Sequence, residues 1–111
     1  MRTGVMLGLC GVMLMGASTL FAGDAEKGKA VYEQKCLMCH GALGKGDGPV
    51  GAMMKPRPAD FTSPASKKKS DADLLKTIES GRPGTPMAPW KGVLSAQQIQ
   101  DVLAYVRSLG Q

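Results

Sequence analysis

The stretch Cys36-Leu37-Met38-Cys39-His40 constrains this chain more than any other. It sets two thiols and an imidazole within one short turn of sequence. Cys10 is the only other cysteine, and His40 is the only histidine. Three chemistries use such a cluster: a redox dithiol, part of a zinc site, or the anchoring of a prosthetic group through thioethers. Each makes a different demand on the rest of the chain.

The N-terminal part reads as an address, not as fold. Met1-Arg2 gives a short positive start, and Val5 to Ala22 runs without a charge. Small residues close it, and Gly23-Asp24-Ala25-Glu26-Lys27 turns abruptly polar. This order predicts a signal peptide over residues 1–22, cleaved after Ala22. The alternative is an uncleaved anchor, since the run is just long enough to span a bilayer. Either reading predicts that the rest of the chain lies outside the cytoplasm. Cys10 would leave with the leader, so Cys36 and Cys39 are the working cysteines.

The remaining chain, residues 23–111, is enough for one small domain. Its aromatic residues are only Tyr32, Phe61, Trp90 and Tyr105, among many glycines and prolines. Domains this small often need a staple or a cofactor. So thin a core predicts that something besides protein fills its middle. The net charge of +5, one less without Arg2, is mild. It suits an acidic docking partner. Scattered bases without interleaved aromatics argue against nucleic acid.

Helical signals dominate. Asp24 caps a first helix over 24–36, with Glu26 near its positive end. Gly28, costly in a helix interior, marks a close crossing by another helix. Ser70 caps a second helix, with Leu74, Leu75 and Ile78 as its apolar stripe, Gly81 as its end and Pro83 beyond. Ser95 and Gln98 form a capping box for the last helix. Its buried face is Ile99, Val102, Leu103 and Val106, widened by Tyr105 and Leu109. Between these lie two Gly/Pro-rich loops, 41–64 and 81–93. A loop as long as the first is expected to wrap something. Lys67-Lys68-Lys69 reads as a solvated run, with a docking patch as the sharper alternative. No strand alternation and no repeat appear. The class is all-α, with three principal helices.

Against this background the cluster resolves. Structural zinc needs four ligands, and the chain past residue 22 has no cysteine or histidine beyond Cys36, Cys39 and His40. A thioredoxin-like dithiol needs a βαβ setting, which the pattern lacks. A plain disulfide is chemically possible after export but leaves His40, the loops and the thin core unexplained. C-x-x-C-H is the attachment signature of c-type haem. At a helix end, residues i, i+3 and i+4 share a side. Cys36 and Cys39 can then bind one flat macrocycle as thioethers, while His40 holds its iron. Leu37 and Met38 are spacers.

The other axial ligand must come from elsewhere. Met38 lies inside the attachment turn. Met53 and Met54 come soon after His40. Met87 sits in Thr85-Pro86-Met87-Ala88-Pro89, where prolines fix the backbone and present the sulfur. Met87 is the preferred ligand, with Met53 or Met54 as alternatives.

On these motifs the chain resembles the class I mono-haem cytochromes c of the small bacterial type. CLMCHG, GKGDGP, PADFT, SGRPGTPMAPW and LSAQQIQDVLAYVRSL run in the family's order. The resemblance implies the cytochrome c fold, one covalent haem c, and His40 and Met87 as axial ligands. It implies that the Pro49 carbonyl accepts from the His40 ring N–H, which would orient the ring. It pairs Gly28 and Tyr32 with Val102 and Tyr105 at a helix crossing. Trp90 and Arg82 are candidates for the haem edge or a propionate.

The expected function is electron transfer by a non-enzymatic carrier, with redox proteins as donor and acceptor. Lys35, Lys45 and Lys91 are candidates for steering an acidic partner. One alternative is a haem subunit of a membrane redox complex, such as one of a respiratory chain, reaching the membrane through its partner or an uncleaved N-terminus. Another is a haem peroxidase or gas sensor. That would need an open axial site and distal acid–base groups, for which only Arg57 and Arg82 are available.

Overall fold

The computed structural model describes residues 23–111 and three isolated glycines before them. The leader or anchor expected over residues 1–22, and Cys10 with it, lies outside the described residues. Among the described residues there is no strand, and no helix is long and apolar enough to cross a membrane.

The first helix, α1, spans Ala25–Lys35. The Asp24 carboxylate caps it by accepting from the Glu26 and Lys27 N–H groups, as expected for a short acid ahead of a helix. The backbone of Asp24 in turn donates to the buried Asp101 carboxylate at 2.8 Å, tying this end to the last helix. A single turn, α2, Leu37–His40, comes directly after it. Gly41 closes it at φ 86°, a conformation that favours glycine.

The last helix, α5, Ala96–Leu109, carries the predicted capping box of Ser95 and Gln98. Its buried residues include Ile99, Val102, Leu103 and Val106, the expected face. It crosses α1 at Gly28. A Cβ at Gly28 would overlap the Asp101 carbonyl oxygen, so a side chain there would force the helices apart. One turn on, Tyr32 is fully buried and meets Tyr105 edge-on, ring centroids 5.1 Å apart. Tyr32, Val102 and Val106 form the core, with Phe61, Ile78 and Leu109 packed around them.

The middle helix, α4, spans Asp71–Ser80 behind its Ser70 cap, with α3, Pro64–Lys68, just before it. Arg107 on α5 gathers this region. It donates to the Asp71 carboxylate at 2.7 Å and to the Ser66 and Lys69 carbonyls. The Lys67–Lys69 side chains stay exposed. Neither α2, α3 nor the 3₁₀ turn at Gly51–Met53 has a periodic apolar signature. They are one-turn pieces inside what reads from sequence as loop and loop edge.

Candidate functional site

Between the α1–α5 crossing and the two long loops lies a cavity of about 460 Å³. Cys36, Cys39 and His40 line it together with Met87, Trp90 and Arg82, although these come from stretches far apart in sequence. Tyr32, Leu94, Val102 and Val106 supply apolar wall. Met54 lines the cavity too, whereas Met53 is 79% exposed and does not. Of the two alternatives to Met87, only Met54 is therefore in the right place. Lys35 is at the cavity, while Lys45 and Lys91 are exposed away from it.

The attachment turn is shaped by its carbonyls. The Cys36 carbonyl accepts from the His40 N–H at 2.9 Å, which closes the turn. The carbonyls of Met38, Cys39 and His40 accept from Val50, Gly48 and Gly46 at 2.9, 3.2 and 2.8 Å. The Tyr32 hydroxyl donates to the Gly41 carbonyl at 2.5 Å, anchoring the turn to α1. Burial is the main force that keeps this phenol protonated.

Both working thiols are free. Burial, helped by the nearby Cys39, pushes Cys36 up to about 11. A nucleophilic dithiol needs the opposite, a thiolate stabilised near neutrality. Nor do three His, Cys, Asp or Glu side chains converge to hold a metal ion among the described residues. Burial thus works against a stabilised thiolate at Cys36, and no zinc-type ligand cluster stands beside it among the described residues.

The imidazole is held on two sides. Its Nδ1 lies 3.3 Å from the Ala59 carbonyl oxygen. A carbonyl can only accept, so Nδ1 carries the hydrogen and Nε2 keeps its lone pair for a metal. Burial lowers the proton affinity of this ring, and the Ala59 contact partly offsets that. The neutral, metal-binding form is favoured. Phe61 stacks on the ring face at 4.5 Å between centroids and 18° between planes.

The carbonyl at Nδ1 corrects an expectation. It belongs to Ala59, not to Pro49, which is exposed and does not line the cavity. The physical reason lies in the attachment turn. Residues 48–50 run along its backbone, with Gly48 pressed against the Leu37 and Met38 carbonyls. They cover the outside of the turn and leave the ring side free. The segment around Pro58 and Ala59 packs there instead, over Gly46. Sequence reasoning also misses Phe61 as a neighbour of His40. Its only sequence signal is being one of four scarce aromatics.

Residues 25–110 match the sequence profile described as Cytochrome c. The chain belongs to the cytochrome c family. Cytochrome c-554(547) of Halothiobacillus neapolitanus is 36% identical over 79% of this chain and 99% of its own length. A cbb3-type cytochrome c oxidase subunit, FixP, of Bradyrhizobium diazoefficiens is 37% identical over 87% of this chain but only 31% of its own length. The chain thus spans about a third of the first curated relatives it matches. Among solved structures, the KustC0563 c-type cytochrome superposes with a TM-score of 0.64 at 25% identity, covering 76% of this chain and 98% of its own.

The cytochrome c family carries covalently bound haem c, and the cavity suits that group. It offers an apolar slot, two free thiols, an imidazole with Nε2 available and thioether sulfur. Lys55, Arg57 and Arg82 put positive charge on the cavity lining.

Proposed function

We propose that the chain is an exported one-electron carrier, its haem held by thioethers at Cys36 and Cys39 and by axial bonds from His40 and Met87. The observation that carries this reading is the convergence of those four residues on one apolar cavity. The bound haem supplies an iron that cycles between ferrous and ferric. His40 contributes Nε2, with its ring fixed through Nδ1. Met87, half-buried in the cavity wall, contributes a thioether that favours the reduced iron. The apolar wall disfavours extra charge in the same direction.

With His40 and Met87 both bound to it, the iron would have no place left for a substrate, which supports a carrier over an enzyme. A peroxidase would need a distal acid–base group. The sole histidine is on the attachment turn, and the cavity's strong cations, Arg57 and Arg82, are poor proton carriers. Partners are redox proteins. Lys35 beside the cavity, with Lys45 and Lys91 further out, favours an acidic docking face. Secretion to a bacterial periplasm fits both the N-terminal sequence and the attachment motif.

The test is an optical redox titration of the purified holoprotein. A reversible one-electron curve with negligible peroxide turnover supports the carrier. Rapid peroxide-dependent oxidation of dyes contradicts it.

A second reading has its own support. Several relatives are named as cbb3-type oxidase subunits, and this chain matches only part of their length. The same domain would then work as one electron relay within a membrane complex. N-terminal sequencing of the exported protein, with co-purification from solubilised membranes, separates the two. A cleaved, freely soluble chain favours the lone carrier.

A further inference from the structure

We propose that Phe61 is a positioning residue for His40, setting the plane in which the imidazole meets the iron. This rests on His40 being an axial ligand, as proposed above. A hydrogen bond from Nδ1 to Ala59 fixes where the ring points but leaves it able to tilt about that line. The second constraint comes from the face. Phe61 lies against it at 4.5 Å, nearly parallel.

Phe61 is itself locked. Its backbone N–H donates to the Gly44 carbonyl at 2.7 Å, which binds it to the loop just after the attachment turn. Its side chain packs against the Tyr32–Val102–Val106 core. Gly44 sits close under it: an added Cβ there would lie 3.0 Å from the Phe61 ring. The turn that carries it is braced from within. Asp60 accepts from the Thr62 N–H and hydroxyl at 2.8 and 2.6 Å, and the Asp60 carbonyl accepts from the Ser63 hydroxyl at 2.7 Å. One short turn, Ala59 to Ser63, therefore delivers both an in-plane and an out-of-plane restraint to the same ring.

The orientation of an axial imidazole splits the iron d orbitals. It thereby spreads unpaired spin unevenly over the four haem methyl groups in the ferric state. Those methyl proton shifts report the orientations of both axial ligands, and the imidazole plane is separated from the methionine's contribution by fixing the latter from nuclear Overhauser contacts of the methionine methyl group. In the ferric wild-type holoprotein, the imidazole plane deduced from them should match the Phe61 plane to within the observed 18°. A plane far from that overturns the proposal without any variant. Phe61→Leu removes the aromatic face but keeps apolar bulk. It should reorder or compress the methyl shifts while the optical spectrum stays low-spin, and Phe61→Tyr should restore the wild-type order. A folded Phe61→Leu protein with the wild-type shift pattern overturns the proposal. The underlying ligation fails separately: His40→Ala would then leave the wild-type optical spectrum unchanged.

Discussion

Around His40 the backbone is tied down from a distance, while around Met87 it is tied mainly to itself and to the end of α4. The attachment turn is gripped by Tyr32 from α1, by Gly46, Gly48 and Val50 from the loop after it, and by Ala59 and Phe61 beyond. The Met87 loop closes on short-range bonds: Arg82 N–H to the Met87 carbonyl, Thr85 hydroxyl to the Arg82 carbonyl, Met87 N–H to the Thr85 hydroxyl. Its far end is pinned where Trp90 and Lys91 donate to the Ile78 and Glu79 carbonyls. Stability is therefore stored unevenly. One side of the cavity is braced by several long-range bonds. The other is a light loop held mainly by short-range bonds, the kind of segment that opens at low cost.

The largest expected effect probes this contrast with one pair of glycines. A Cβ at Gly51 would overlap the Cys39 carbonyl oxygen, whereas one at Gly84 would meet nothing within 4 Å. Gly51→Ala should therefore cost about 3 kcal/mol, since backbone on both sides must yield. Gly84→Ala should cost only about 1 kcal/mol, from its φ of 78°. Denaturant unfolding of the two holoproteins measures this. Equal losses would erase the distinction between the two sides.

Next in size is Tyr32→Phe. The lost hydroxyl leaves the Gly41 carbonyl with its other donor, the Gly44 N–H. A loss of about 1 kcal/mol is expected, again by denaturant unfolding. Thr85→Ala, on the lighter side, should lower global stability by about 0.5 kcal/mol at most, because its bonds are exposed. It should instead speed replacement of the axial methionine by added imidazole, measured by stopped-flow absorbance. An unchanged exchange rate would show that the loop's own bonds do not hold Met87.

The smallest effect is a pH dependence. Thr62's hydroxyl and N–H hold the Asp60 carboxyl below its ordinary value of 3.8. A depressed folded value gives stability that is fully present above 3.8 and fades as the pH falls through the lower folded value. Asp60→Asn should therefore trail the wild type slightly at neutral pH, with the gap closing in strong acid. A gap that widens in acid would reverse the sign.

The same contrast explains what is legible in the sequence. Side-chain chemistry writes itself into residue type. Asp24, Ser70, Ser95 and Gln98 announce their caps, Gly28 its crossing, and the Cys–Cys–His turn its place at the cavity. Pro86 and Pro89 single out Met87, which does line the cavity. Work done by backbone groups stays hidden. Every residue has a carbonyl, so nothing about alanine marks Ala59 as the partner of His40. Pro49 stands out because proline punctuates loops, yet that says where a chain turns and not which way its oxygen faces. Phe61 is visible as apolar, but which ring it stacks on depends on how loop 41–64 folds back.

The proposal that His40 holds the iron from a firmly braced side and Met87 from a lightly tethered one meets its most direct test in the far-red spectrum of the ferric holoprotein. A methionine-to-iron charge-transfer band should be present in the wild type and in Met54→Ala, and absent in Met87→Ala. A wild-type protein without that band, or a band that survives loss of Met87, would contradict it.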